Sequence, residues 1–287
     1  MTIQRYFAPQ TLDEAAGILA KGGVTILAGG TDLMVQVRAG RVKFEPALMN
    51  IRRVAELHGI SLQDGAVRIG ALATITDLLT NTIVREKLPV LTETADHFAS
   101  DQIRNAATVG GSLCNASPAG DIAPPLLVLD AEVELVSKPN GALRVRTLPI
   151  ADFFTGPGRT RREPDELLAA VRVPLPEAGY TAQFLKFGTR PALDIATISI
   201  AIAGVKKGRA LHGVRVALGA VAPVPLRAVK TEAALEGKDL DAAAIDAAAA
   251  VARDEAKPIS DVRASAWYRQ ELVHNMVRRM LANVAQG

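Results

Sequence analysis

"TVGGSLCNASPAGD", Thr108 to Asp121, is the stretch on which the reading of this chain turns. Its fourteen residues include three glycines, two serines, one threonine, one asparagine, one proline and the only cysteine of the protein. Such a run has little side-chain bulk from which to build a core, so something must come close to its backbone. A second stretch of the same kind, "LAGGTDL", lies at 27–33. Adjacent glycines let consecutive amides point into one concavity, with no Cβ to block an incoming anion. Thr31, Thr108 and Ser112 add hydroxyl donors, and a helix starting behind the 27–33 turn favours phosphate charge at its N-terminus. Two such loops meeting in space suit a diphosphate gripped from both sides. The alternative is two tight turns that bind nothing. That is the ordinary reading of one Gly-Gly pair, whereas two pairs with matching hydroxyls favour a ligand.

Working outward, "TLDE" (Thr11–Glu14) is a capping box that opens a helix ending at Gly22-Gly23. "VTILAGG" reads as a buried strand running into its glycine pair, and "TDLMVQVRAG" as a helix capped by Thr31. Alternating "AVRIGALAT" follows the turn "QDG", and a helical stretch covers about Thr76 to Ala99. "LLVLDAEVELVS" and "LRVRTL" flank Asn140-Gly141, a hairpin signal because both residues tolerate positive φ. "PLPEAGY" at 174–180 is a linker. Beyond it come three strand-like runs, "AQFLKFG", "ATISIAIAGV" and "GVRVALGAV", then Ala-rich helices at Asp241–Ala256 and Ala264–Ala285. The last carries apolar residues at 272, 273, 276, 277, 280, 281 and 284, a core-facing stripe.

The 287 residues are 49% hydrophobic and 22% charged, enough for two domains with a sizeable core. The net charge is only +3, and Lys and Arg are scattered. The densest basic run, "RTRR" at 159–162, is followed by Glu163, Asp165 and Glu166, which reads as a solvated surface and not a nucleic-acid footprint. One cysteine excludes an intrachain disulfide, a structural zinc site and an iron–sulfur cluster held by this chain alone. The first residues lack the apolar core of a signal peptide, and no apolar run reaches membrane-span length. The expected location is the cytoplasm.

Familiar signatures of nucleotide and hydrolytic sites are missing. There is no Walker-type loop, "GPGRTR" at 156–161 is no dinucleotide fingerprint, and "GGSLC" is no nucleophile elbow. His58, His97, His212 and His274 stand apart without metal-ligand spacing, so no metal ligand is expected. Cys114 reads as a small packing residue and not a nucleophile.

The pair "LAGGTDL" and "QIRNAATVGGSLCNASPAGD", at this separation, resembles the FAD-binding medium subunit of molybdenum hydroxylases. These are enzymes of the carbon monoxide dehydrogenase, nicotinate dehydrogenase and xanthine dehydrogenase type. The likeness extends over essentially the whole chain, including "FLKFGTRPALDIATISIAIAGV" and the final helical segment. It implies an α+β fold: a two-part FAD-binding domain of the vanillyl-alcohol oxidase (PCMH) type over 1–175, with subdomains at about 1–55 and 56–175. A smaller α+β domain of antiparallel sheet and helical bundle would follow over 180–287.

The resemblance also assigns the site. Leu27, Ala28, Gly29, Gly30, Thr31, Asp32 and Leu33, and Thr108, Val109, Gly110, Gly111 and Ser112, would surround the FAD diphosphate, held by amides of 28–33 and 108–112. Asn115 matches a position contacting the phosphate or ribityl region, and Asp121 the acid that bonds the ribityl chain. Phe98 falls where an aromatic lies against the flavin, while Leu168 and Lys186 match positions touching the far parts of the cofactor and the isoalloxazine edge. Each has an ordinary alternative: Phe98 as core, Asp121 as a turn cap, Lys186 as a solvent-facing residue. Asp194 either caps the next segment or lines the flavin entrance. No residue matches a flavin-attaching His or Cys, so the FAD is expected to be non-covalent, and the single Cys departs from the branch that carries an extra iron–sulfur loop.

The function implied is electron transfer. Substrate would be oxidised at the molybdenum cofactor of a large subunit, and electrons would cross two [2Fe–2S] clusters of a small subunit. The FAD here would pass them to an acceptor such as NAD or a quinone. The rivals are a stand-alone flavin oxidase of the same fold and a non-redox protein that binds a nucleotide diphosphate.

Overall fold

The computed structural model describes residues 3–190 and 193–286, so Pro191 and Ala192 within "GTRPALD" lie outside the described residues. Strand β1 (Arg5–Phe7) leads to helix α1 (Leu12–Leu19), where Thr11 Oγ1 accepts from Glu14 N at 3.2 Å. The Glu14 carboxylate accepts from Gln10 N at 2.8 Å, one residue ahead of the cap. Strand β2 (Val24–Leu27), helix α2 (Leu33–Arg38) and strand β3 (Ala47–Asn50) follow, and the strands form a parallel sheet in the order β1-β3-β2. The strand β2 is only half-buried, because its inner face borders a cleft. Asp32, and not Thr31, occupies the cap position of α2, and it makes no capping hydrogen bond.

A five-stranded antiparallel sheet, ordered β4-β5-β10-β6-β7, forms the second layer. Strands β4 (Ile60–Gln63) and β5 (Ala66–Gly70) precede six short helices. These are α3 (Ile75–Thr80), α4 (Thr82–Lys87), α5 (Pro89–Asp96), α6 (Asp101–Arg104), α7 (Val109–Asn115) and α8 (Ala123–Val128). The single helical stretch expected over 76–99 is therefore broken into three. The Asn81 side chain accepts from Ile83 N and Val84 N and so starts a new helix, and Pro89 disfavours helical backbone at Leu88. Strands β6 (Glu132–Ser137) and β7 (Arg144–Pro149) form the expected hairpin, with Asn140 at φ 54° and Gly141 at φ 82°. Short α9 (Ile150–Phe153), β8 (Phe154–Gly156) and β9 (Arg159–Thr160) lead into β10 (Leu167–Pro174).

The C-terminal part is a four-stranded antiparallel sheet of β11 (Tyr180–Phe187), β12 (Ile198–Lys207), β13 (Ala210–Gly219) and β14 (Leu226–Arg227). Helices α10 (Val229–Leu235), α11 (Ala242–Glu255) and α12 (Ala266–Gln286) cover one face. Alternation along β12 divides its labour. Ile198, Ile200 and Ile202 join the core shared with these helices, while Ala201 and Ala203 join the main core with Leu126 and Leu127 of α8. Small residues on that second face let α8 lie against the sheet. The stripe on α12 is buried as its spacing predicts, through Leu272, Val273, Val277, Met280, Leu281 and Val284. Among the described residues no helix is long and apolar enough to cross a membrane. The architecture is α+β, and its two parts meet along α5, α8 and β11.

Candidate functional site

A cleft of about 610 Å³ opens between the parallel sheet, α7, β10 and the edge of the C-terminal sheet. This is within the usual range for a small-molecule site. The two glycine motifs meet there because Gly29 packs on the chain just ahead of α7. A Cβ on Gly29 would lie 2.0 Å from the Ala106 carbonyl oxygen, so no other residue permits that approach. Gly30 follows at φ +74°, a left-handed turn that sends the backbone into α2. The amides of Ala28 to Leu33 have no acceptor among the described residues, and Ala28, Gly29, Gly30, Thr31, Asp32 and Leu33 all line the cleft. A run of unused donors facing a cavity suits an anion.

The second motif corrects the sequence expectation. It is not a loop: Thr108 caps α7, accepting from Gly111 N at 3.1 Å. Val109 N donates to Ala73 O, Gly110 N to Ala71 O and Ser112 N to Thr108 O, each at 2.9 Å. The amides of 109–112 each donate within the protein, whereas Thr108 N has no acceptor among the described residues. Gly110 also serves packing, since a Cβ there would lie 2.7 Å from that of Ala71. What α7 and its cap offer the cleft is Thr108, Gly110, Gly111, Ser112, Cys114 and Asn115. Val109 is buried in the core, and Leu27 lies between Ile26 and Ala28 on the opposite side of its strand; neither lines the cleft.

Lys186 of β11, which also lines the cleft, donates to Asp121 Oδ2 at 2.6 Å and to the His97 carbonyl at 3.2 Å. Lys186 therefore does not face solvent; its side chain is 10% exposed and that of Asp121 9%. Burial pushes the Asp121 carboxyl above its ordinary range, and the Lys186 charge pulls against that rise. Asp121 Oδ1 is fully buried and has no hydrogen-bond partner among the described residues. A carboxylate oxygen in that position needs a donor, which a polyhydroxylated ligand would supply. Phe98 and Leu168 line the same region, and both also pack on the main core.

Asn115 is linked to the first motif. Gln36 Nε2 donates to Asn115 Oδ1 at 2.9 Å and to the Asp32 carboxylate. The sequence reading missed Gln36 because nothing local signals a contact 79 residues away. It also missed Arg162, which belongs to the basic run expected to be solvated. Arg162 lines the cleft, its Nη1 fixed by the carbonyls of Glu163 and Glu166 at 3.0 and 2.6 Å. Asp194 accepts from Thr189 N, Thr189 Oγ1 and Ile195 N, and it borders the cleft. Cys114 packs against the core and also lines the cleft, and burial pushes its thiol up.

Comparison with known proteins agrees with this geometry. Residues 1–176 match the family described as the FAD binding domain in molybdopterin dehydrogenase, and residues 183–284 the CO dehydrogenase flavoprotein C-terminal domain. The xanthine dehydrogenase FAD-binding subunit of Escherichia coli O157:H7 is 34% identical over 280 residues, covering 96% of this chain and 94% of that one. The nicotinate dehydrogenase FAD-subunit of Eubacterium barkeri is 30% identical over 291 residues, covering 97% and 95%. A solved structure of carbon monoxide dehydrogenase from Hydrogenophaga pseudoflava superposes with a TM-score of 0.90 at 35% identity, covering 97% of this chain and 96% of that chain. The free amides of 28–33, the unpartnered Asp121 oxygen and these matches lead to one conclusion: the chain belongs to the FAD-binding medium subunits of the molybdenum hydroxylases.

Proposed function

We propose that this chain is the electron-transfer flavoprotein subunit of a multi-subunit molybdenum hydroxylase, working in the cytoplasm. Residues 1–175 form its cofactor domain and residues 180–287 its C-terminal domain. Its partners are a large subunit with the molybdenum cofactor and a small subunit with two [2Fe–2S] clusters. When bound, FAD supplies both one- and two-electron exchange, which connects such clusters to an external acceptor such as NAD or a quinone. The chain's own residues bind and orient. The amides of 28–33, with the Thr31, Thr108 and Ser112 hydroxyls, would hold the diphosphate, and Asn115 would contact the phosphate or ribityl region. Asp121 Oδ1 would accept from a ribityl hydroxyl, with the Lys186 charge opposing the rise that burial imposes on that carboxyl. Phe98 and Leu168 would cover the apolar ring system and keep water from it.

The observation that carries this reading is the buried Asp121 Oδ1, unpartnered among the described residues, in the same cleft as a row of unused amides. The carboxylate oxygen accepts from hydroxyls and the amides donate to an anion, the two needs of a ribityl diphosphate. No general base is assigned to any residue here. Loaded with FAD, the isolated chain is expected to exchange electrons with NADH or dyes but not to bleach anaerobically with alcohols, aldehydes, amines or N-heterocycles. Rapid, saturable bleaching by one of these without partners would establish a stand-alone oxidase instead.

A further inference from the structure

The cleft is bridged by a three-residue network whose polarity is set by one charge. Asp32, in its ionised form, is an acceptor only. Gln36 must therefore turn its NH2 end toward Asp32, and the same nitrogen reaches Asn115 Oδ1 at 2.9 Å. Asn115 in turn presents its oxygen to Gln36, so its own NH2 is left without an acceptor among the described residues, at a position lining the cleft. The chain of hydrogen bonds thus converts a carboxylate on α2 into a fixed donor on α7. Without Gln36, the Asn115 amide is free to rotate either end toward a ligand, and half of those orientations oppose an anion or a hydroxyl acceptor.

We propose that Gln36 is a cofactor-positioning residue, which locks Asn115 with its NH2 directed at an acceptor oxygen of FAD. This rests on the reading that the cleft holds FAD. Gln36 does not touch the cofactor in this account. It also ties the two glycine motifs to each other, since Asp32 belongs to one and Asn115 closes the helix of the other.

The test is a double-mutant cycle on FAD affinity in the full-length chain, with Gln36→Met and Asn115→Ala alone and together. Met keeps the length and helix preference of Gln but cannot donate. Gln36→Met is expected to weaken FAD binding by about three- to tenfold, the size of one hydrogen bond. In the Asn115→Ala background it should have no further effect, because the group it orients is gone. The melting temperature of each apoprotein, read alongside, should not follow that pattern. An equal loss of affinity in both backgrounds would overturn the proposal, since Gln36 would then act by shaping α2. Unchanged affinity in the single variant would overturn it as well. A wild-type chain that binds no FAD would instead overturn the reading of the cleft itself, and the orientation proposal with it.

Discussion

Lys186 Nζ meets Asp121 Oδ2 at 2.6 Å across 65 residues of sequence, and so fastens the C-terminal sheet to the floor of the cleft. The pair is almost wholly enclosed, which makes it costly to break. Removing one partner of a buried ion pair typically costs about 3–5 kcal/mol, because the other charge is left uncompensated. Lys186→Met is expected to destabilise the apoprotein on that scale at neutral pH, and Asp121→Asn added to it should recover most of the loss.

The same pair fixes a pH dependence. Burial raises the Asp121 carboxyl above its ordinary value of 3.8 in the folded chain. The folded state then holds that proton more tightly than the unfolded chain does. The stability this group contributes is complete below the unfolded value and is lost as pH rises through the folded one. Lys186→Met removes the opposing charge and raises the folded value further, so the variant should lose more stability at pH 7 than at pH 5. Urea unfolding at the two pH values checks this, and an equal loss at both would contradict it.

The glycines of the two motifs should separate cleanly in their effects. Gly29→Ala forces a Cβ into the Ala106 backbone and should cost roughly 1–3 kcal/mol of stability through overpacking. A Cβ on Gly111 meets only the Thr108 cap hydroxyl, at 2.8 Å. The cap lost there, about 1 kcal/mol, is offset by the better helix propensity of alanine, also about 1 kcal/mol. Gly111→Ala should thus be nearly neutral for folding, while Gly111→Val should abolish FAD binding with an unchanged far-UV spectrum. Full FAD content in that variant would remove α7 from the site.

How much of this was legible beforehand follows the range of the interactions. The stripe on α12 and the Asn140-Gly141 hairpin are written in neighbouring residues, and both form as read. The motif at 108–115 announced closeness to a ligand but not its own helix, because two glycines carry the poorest helix propensity short of proline. Thr108 capping and the contact with Ala71 hold it helical, and the second is tertiary. Gln36 and Arg162 were illegible for the same reason: their partners or their burial come from distant segments. Lys186 was placed at the cofactor by resemblance alone, and its pairing with Asp121 came only from the fold.

Cys114 offers a probe that needs no mutation. Burial holds its thiol above the ordinary range, and it lines the cleft. The thiolate is the reactive form, so alkylation by iodoacetamide at pH 7.5 is expected to be slow in the apoprotein and slower still with FAD present. Fast modification unaffected by FAD would place the cofactor elsewhere.

The most direct measurement is the FAD dissociation constant of the wild-type chain and of Asp121→Ala, followed by flavin fluorescence, with acid release to show that the bound flavin is not covalently attached. The account predicts one releasable FAD per wild-type chain. For Asp121→Ala it predicts affinity weaker by about one to two orders of magnitude, the worth of a hydrogen bond to a charged acceptor. A wild-type chain without FAD, or an Asp121→Ala chain that binds it equally well, would contradict the assignment of the cleft and of the buried oxygen within it.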